Sequence, residues 1–492
     1  MVSISRLEKS PNTTTPIIQA TNENKNDKDV TSTIYMAETE NIIEALGVRP
    51  VMDKEHKLLS ESIIKHYNVN PKSIYFHNPV IHLFTPYMKY EKSLNHTDRI
   101  VSLVKKKERV DCIGFFYRAK IKTAGRGYYH TDIFAKEIPI LPVHKAHLYY
   151  KRDNLSPAME QVLYNFIYHN NSAITTEIMC SYLASKLREL NISPHFCKMY
   201  GSVRMILDHF TYNITSDSEF KDESYVRDFI EENETFCEFV TRRRKLFLEY
   251  RDFPCYLLMC EKADTEIDLL YDIGKLDETH FNSIVFQIYA AIFCAMSIFG
   301  MKHNDLHLSN VMLSRTKQKY LYYYYKGDYY RIPTFGYIVR IIDWGRGTYE
   351  FDGNQGFNHI FTTEYDCFDQ YRYKRMNHSG LEPILPSRQK WTDIVMITHN
   401  ILNAWKGFRN TELGKSMKKW IENKDGVSLD IDEFNWEIYC GVTQHTYNVQ
   451  PHHILQHRSF RAFVVKQTDI PEGSTVYPLM VGRESVTQRL KK

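Results

Sequence analysis

The sequence predicts an α+β protein in two unequal parts, a smaller mainly stranded one followed by a larger mainly helical one. Three observations predict it. From about residue 83 to 260, short runs rich in β-branched and aromatic residues alternate with polar breaks. After Glu261, longer apolar runs at helical spacing take over, the longest being Ile288–Met301. With 492 residues, 43% hydrophobic and 25% charged, the chain is large and apolar enough for one two-part unit and is not disordered as a whole.

The elements follow in order. Residues 1–35 are rich in Thr, Asn, Lys and Asp and predict a flexible tail. In 36–82, Ile42, Ile43 and Leu46, then Leu58, Leu59, Ile63 and Ile64, predict a helical extension. HLFTPYMKY, RIVSLVKKK, CIGFFYRAKIK and the stretch Ile133–Lys136 predict strands. Helices are expected over Leu155–Asn170 and Ile174–Leu190, the second stopped by Pro194. Phe196–Val203 and Tyr256–Met259 read as strands. Between them, 212–250 contains an acidic insertion with one helix. Helices are then expected over Phe281–Phe299, Asp393–Trp405 and around Ser416–Trp420.

Composition narrows the function classes. A net charge of +4 does not mark a nucleic-acid binder, and KKKER at 105–109 and RRRK at 242–245 are short. Nine cysteines without CxxC spacing argue against a disulfide framework or zinc knuckle. The N-terminus lacks the apolar core of a signal peptide, and Ile288–Met301 is short for a membrane span, so no transmembrane segment is expected.

The chemistry concentrates in His303-Asn304-Asp305-Leu306-His307-Leu308-Ser309-Asn310, directly after the apolar helix. Downstream, Val339–Gly345 reads as a buried strand ending in Asp343-Trp344-Gly345. Phosphoryl transfer needs hard oxygen ligands for divalent ions, which Asn310 and Asp343 can supply. It also needs an acid to orient the attacking hydroxyl, such as Asp305, and a cation for the phosphates. Lys136 sits among apolar strand residues, and Glu177, on a helix with an apolar face, can hold it.

These residues resemble the protein kinase superfamily. HNDLHLSN is similar to its catalytic loop, and DWG to its DFG motif. Phe134-Ala135-Lys136 resembles the end of its lysine strand. IFAKEIPI, ISPHF and HNDLHLSN further resemble the serine/threonine kinases of poxvirus virions and other large DNA viruses. The resemblance implies a bilobal protein-kinase-like fold with a small mainly β lobe over 83–260. The large mainly α lobe then covers 261–492, with an extended hairpin at 314–338 and a C-terminal extension. It implies ATP, with Mg²⁺ or Mn²⁺, as cofactors. Lys136 would contact phosphates and pair with Glu177. Asp305 would be the catalytic base, and Asn310 and Asp343 the metal ligands. Backbone groups of Cys260, Glu261 and Lys262 would meet adenine. His303 would support the loop. Asp393 would brace the loop from below, although a helix N-cap explains it equally well. The implied partners are protein substrates, among them viral structural or assembly proteins, in the virion and host cytoplasm.

The sequence departs from the family pattern in several places. No glycine-rich phosphate loop is legible: Gly114 is isolated, and Gly125 and Gly127 lie too near Lys136. His307 stands where a lysine is usual, so any positive charge there depends on pH. The tyrosine-rich segment after Asn310 lengthens the hairpin, its tyrosines packing there. Thr348, Thr362 and Thr363 are acceptor candidates by position alone. Three other readings compete. One is a small-molecule hydroxyl kinase of the same fold. Another is a kinase-fold structural virion protein without activity. The third is a zinc site at His303, Asp305 and His307, which leaves Asn310 and Asp343 without a task.

Overall fold

The computed structural model describes residues 53–479 apart from 68, 78–97, 111–113, 124–126, 170–171, 216–228, 230, 232–235, 243–244, 273, 275, 352–353, 362–366, 368–389 and 431–435. The expected tail, the HLFTPYMKY strand, most of the acidic segment, Thr362 and Thr363 lie outside these residues. All described residues belong to one unit, Leu46–Lys492.

Seven strands form the N-terminal sheet: β1 (Tyr75–His77), β2 (Arg99–Val110), β3 (Gly114–Lys122), β4 (Tyr128–Pro139), β5 (Met199–Asn213), β6 (Cys237–Arg242) and β7 (Lys245–Glu261). They are ordered β1-β5-β7-β4-β3-β2, with β6 added against β7. Alternation sets the faces: Tyr117, Ala119 and Ile121 of β3 are buried, while Arg118 between them is exposed. Helix α1 (Asp53–Tyr67) covers this face with Leu59 and Ile63, one turn apart, while Leu58 stays outside. The Leu103 backbone fastens it, donating its N–H to Ser62 Oγ at 3.0 Å and facing His66 Nε2 with its carbonyl at 3.1 Å.

The stranded region departs from expectation in three ways. The 36–82 segment is not wholly helical, because β1 is an edge strand of the main sheet. The strand expected at Phe196 begins at Met199 and runs to Asn213; Phe196 makes only a single bridge to Ile341. Tyr256–Met259 is part of a 17-residue strand. Leu248 and Tyr250 alternate with Glu249 and Arg251, so the β5–β7 ladder reaches Asn213 and Phe247. The expected insertion at 212–250 is therefore partly an extension of the sheet. Pro254 is tolerated because the β4 pairing ends beside it, at Pro139 and Cys255.

After β4 a short helix, Ala146–Tyr150, precedes two longer ones. Helix α2 (Pro157–Tyr168) is capped by Ser156, and α3 (Ala173–Glu189) by Ser172, whose Oγ accepts the Thr175 N–H. Helix α4 (Glu278–Phe299) starts at Asp277, which accepts the His280 N–H, and ends at Gly300 in the left-handed region. It is longer than the apolar run suggested. Its length and apolarity suffice to cross a bilayer, yet 89% of its apolar window is buried inside the protein.

Strand β8 (Thr265–Glu266) pairs with β9 (Val311–Arg315). The β10 (Tyr320–Tyr325) and β11 (Asp328–Pro333) hairpin stands between β9 and its partner β12 (Tyr337–Ile341). The hairpin does not simply lengthen the β9–β12 pair. It joins a separate four-stranded sheet with β15 (Val464–Val465) and β16 (Val476–Pro478), β13 (Tyr349–Phe351) and β14 (Asn354–Gly356) forming a pair of their own. Tyr323 and Tyr330 are buried against Phe286 of α4, so these tyrosines are packing groups. Helices α5 (Thr392–Ala404), α6 (Glu412–Trp420) and α7 (Trp436–Gly441) complete the helical part.

His195 ties these parts together. It is 0% exposed, with Nδ1 3.1 Å from the Val339 carbonyl and Nε2 2.6 Å from the Tyr323 hydroxyl. Burial pushes its pKa down to about 3, the nearby Arg340 charge adding to this and the Val339 bond opposing it. The unfolded imidazole binds a proton near pH 6.5 and the folded one resists, so stability is lost as pH falls from 6.5 toward 3. Between pH 6.5 and 5 this group alone should remove about 2 kcal/mol. Urea unfolding at the two pH values should show a correspondingly smaller difference for His195→Gln.

Candidate active site

A cavity of about 560 Å³ lies between the main sheet and the segment from β8 to Trp344. Phe134, Leu258, Met312 and Ile341 supply apolar wall, and Lys136, Glu177, Asn310 and Asp343 the polar groups. This combination is typical of sites for small polar ligands.

Lys136 reaches the cavity from β4. Its Nζ is 2.7 Å from Glu177 Oε1 and 2.9 Å from Asp343 Oδ1. Glu177 is held in place because residues 174–187 of α3 are buried throughout. Asp343 lies just past β12 with φ +61°, a left-handed conformation that Asp tolerates better than bulkier residues. Burial works against the Lys136 charge, but the two carboxylates win and raise its pKa above the usual lysine value. Burial also disfavours the Asp343 charge, yet Lys136, with help from His303 and the Gly345 N–H, holds its pKa down at about 2. For Glu177, burial pushes the carboxyl up; Lys136 opposes this and Asp343 adds to it.

The catalytic-loop candidate is fastened from several sides. Asp393 accepts the His303 N–H at 2.6 Å on Oδ2 and the Asn304 N–H at 2.8 Å on Oδ1. The helix cap at α5 is Trp391, with no side-chain cap bond, so Asp393 acts as a brace and not as an N-cap. His303 Nε2 lies 2.7 Å from the Ile342 carbonyl, and its ring packs 4.9 Å from Trp344. Phe196 touches Trp344 on another side. Asn304, with φ +60°, donates to the Arg346 carbonyl and to Thr348 Oγ1. Thr348 is fully buried, which removes it as an exposed acceptor.

Asp305 Oδ1 accepts from Arg346 Nη1 at 3.1 Å and from the Tyr439 hydroxyl at 2.7 Å. His307 Nε2 is 3.9 Å from Asp305 Oδ2. Burial lowers the His307 pKa, Asp305 countering in part, which favours the neutral ring. Asn310 donates its Nδ2 to the Asp305 carbonyl at 2.9 Å, so Oδ1 is the end left to accept. The Asp343 carboxylate and Asn310 Oδ1 are hard oxygen donors lining one cavity, a set that fits Mg²⁺ or Mn²⁺. Three or more His, Cys, Asp or Glu do not come together in a metal-holding group among the described residues, and His303 is turned to Ile342. The zinc reading therefore has no support in the geometry.

Cys260, Glu261 and Lys262 line the same cavity. The Glu261 N–H goes to the Lys198 carbonyl at 2.8 Å, and its carboxylate pairs with Arg188. The Lys262 N–H likewise goes to the Asp132 carbonyl at 3.4 Å, so the N–H groups of 261 and 262 expected to meet adenine are both directed to protein carbonyls. Cys180, Cys197, Cys237, Cys255, Cys260 and Cys294 are free thiols.

Sequence reasoning missed Gly114, Arg346 and Tyr439. Gly114 opens β3 directly opposite Lys136. A Cβ there would lie 2.2 Å from the Ala135 carbonyl oxygen, so only glycine lets β3 approach the lysine strand. Gly127 instead belongs to the β3–β4 turn, where its carbonyl accepts the Thr123 N–H.

Two outcomes follow for stability. Gly114→Ala must displace backbone under Lys136 and should cost about 1–3 kcal/mol. Asp393→Ala leaves two buried N–H groups without their acceptor and should cost about 2–4 kcal/mol. Urea midpoints measure both, and a midpoint unchanged from wild type contradicts the corresponding contact.

No family model matches the chain. It is 24% identical over 190 residues to the probable serine/threonine-protein kinase 380R of Invertebrate iridescent virus 6, covering 37% of this chain and 33% of that one. It is 32% identical over 150 residues to serine/threonine-protein kinase haspin of Bos taurus, covering 29% and 19%. To haspin of Mus musculus it is 38% identical over 148 residues, covering 29% and 20%. The chain spans a third or less of the length of these curated relatives. The similarity relates part of the chain to serine/threonine protein kinases.

Proposed function

We propose that the chain is a bilobal protein kinase that transfers phosphate from ATP to serine or threonine hydroxyls. The observation that carries this reading is the meeting of Lys136 with both Glu177 and Asp343 in one cavity beside Asn310. The named kinase relatives support it. A divalent ion held by Asp343 and Asn310 would supply charge neutralisation for the phosphates. Lys136, kept in place by Glu177, holds the phosphates. Asp305 orients the acceptor and takes its proton as the oxygen–phosphorus bond forms and ADP leaves. The main sheet and the helical part correspond to the two lobes, with adenine against the Cys260–Lys262 edge.

The viral setting is part of the same proposal. An iridovirus relative and the resemblance to poxvirus virion kinases favour viral structural or assembly proteins as substrates, in the virion and host cytoplasm.

Labelled ATP with casein, set beside a panel of aminoglycosides and choline, tests both the reaction and the acceptor class. Wild type should transfer phosphate to protein only when Mg²⁺ or Mn²⁺ is present. Asp305→Asn and Asp343→Asn should each lose roughly 100-fold or more in rate while still folding cooperatively. Wild-type turnover by Asp343→Asn would refute the reading, and transfer confined to the small hydroxyl compounds would replace the protein acceptor.

A further inference from the structure

Position 307, two residues after Asp305, carries an imidazole and not a permanent cation. The positive charge nearest the Asp305 carboxylate comes from another segment. Arg346, three residues beyond Asp343, places Nη1 3.1 Å from Asp305 Oδ1. Tyr439 of α7 donates to the same oxygen at 2.7 Å, and the Arg346 guanidinium lies over its ring, 5.3 Å from the centroid. Arg346 and Asp305 are 24% and 18% exposed, so the pair is largely withdrawn from water. Tyr439 is 8% exposed, and its polar end is committed to this contact.

Resting on the kinase reading, we infer that Arg346 is a positioning residue for Asp305, supplying the fixed cation that the catalytic loop lacks, with Tyr439 holding it in place. Two donors on Oδ1 leave Oδ2 as the oxygen that faces an incoming hydroxyl. In the transfer step the acceptor O–H proton goes to Asp305 Oδ2. The acceptor oxygen bonds the γ-phosphorus, and the bond from that phosphorus to the departing ADP oxygen breaks. A guanidinium stays charged at any working pH and keeps the carboxylate aimed. A charge-assisted hydrogen bond of this kind is among the stronger contacts in a site. Arg346 comes from the segment that carries Asp343, so the metal-ligand strand end and the base are registered to each other through it.

Steady-state kinetics of Arg346→Gln should show kcat lowered roughly 10- to 100-fold with KM for ATP nearly unchanged. Arg346→Lys should keep most of the activity. The double variant Arg346→Gln with His307→Lys should recover at least a tenth of wild-type kcat, because a lysine at 307 restores a cation beside Asp305 from the other side. A merely structural Arg346 would not be rescued from position 307. Wild-type kcat in Arg346→Gln overturns the inference, as does a loss that neither Arg346→Lys nor the double variant repairs. Should Arg346→Gln fail to fold, Tyr439→Phe carries the test: kcat is expected to fall about threefold to tenfold at unchanged KM for ATP, and an unchanged kcat overturns the inference. Absence of transfer by wild type with either metal sinks the kinase reading itself, whereas wild-type transfer with an unimpaired Arg346→Gln sinks only this inference.

Discussion

A lysine ammonium withdrawn from water is costly unless anions meet it, and the site is organised around that constraint. Lys136 is 19% exposed and contacts two carboxylates. One comes from α3 and the other from the end of β12, so a strand, a helix and a second strand must converge for the charge to be tolerated. The cavity is what remains between them. Its polar end is fixed by this triangle and its apolar walls by Phe134, Leu258 and Ile341. Both turns that bring acids to the cavity use left-handed residues with short polar side chains, Asn304 and Asp343. Local bonds stabilise each: Asn304 donates to the Arg346 carbonyl, and Asp343 Oδ1 accepts the Gly345 N–H.

A second layer makes the triangle rigid. Asp393 holds the backbone of His303 and Asn304. His303 and Phe196 each pack a tilted ring against Trp344, next to Asp343. Next to Phe196, His195 reaches β12 and the tyrosine hairpin. That hairpin is pinned in turn against α4 and by two short strands from the C-terminal region. The segment that looks like decoration in the sequence therefore supports the strand that ends in Asp343.

Lys136, Glu177, Asp305, Asn310 and Asp343 were expected together from their order along the chain and the family resemblance, since Lys136 or Glu177 alone carries little signal, and the fold places Lys136, Glu177, Asn310 and Asp343 on one cavity. Brought together, they need no rearrangement of the predicted elements. Gly114 was not legible as a site residue, since one glycine in CIGFFYR reads as part of a strand; only the approach of Ala135 makes it necessary. Arg346 and Tyr439 lie 41 and 134 residues from Asp305, and nothing local in their surroundings points to it. The long β5–β7 ladder was hidden for a different reason. Its outer half alternates apolar with charged residues beside an acidic segment, and the charges dominated the reading. The α4 helix was expected from Phe281 and begins three residues earlier, because polar Glu278, Thr279 and His280 carry no apolar signal. In the fold Ser283 donates to the Pro333 carbonyl and Gln287 accepts the Val339 N–H, so both polar groups are accommodated in the core.

The distribution of charge around the cavity also bears on how a metal–triphosphate could enter. Glu261, Glu266 and Lys262 line the cavity together with Lys136, Glu177 and Asp343, and Asp305 with its partner Arg346 stands in the adjoining loop. Arg346 pairs with Asp305, whereas Lys136 is shared between Glu177 and Asp343. Of the shared pair, Glu177 is 7% exposed and Asp343 42%. On the kinase reading, Asp343 would be the carboxylate able to hold a divalent ion, whose charge would neutralise phosphate, while the buried Glu177 would keep its lysine. Binding of the ion there would turn the ammonium toward the phosphates and leave its anchor intact. On the kinase reading, the asymmetry between one buried and one more accessible acid would let a single lysine be held firmly before nucleotide binds and still be available when it does.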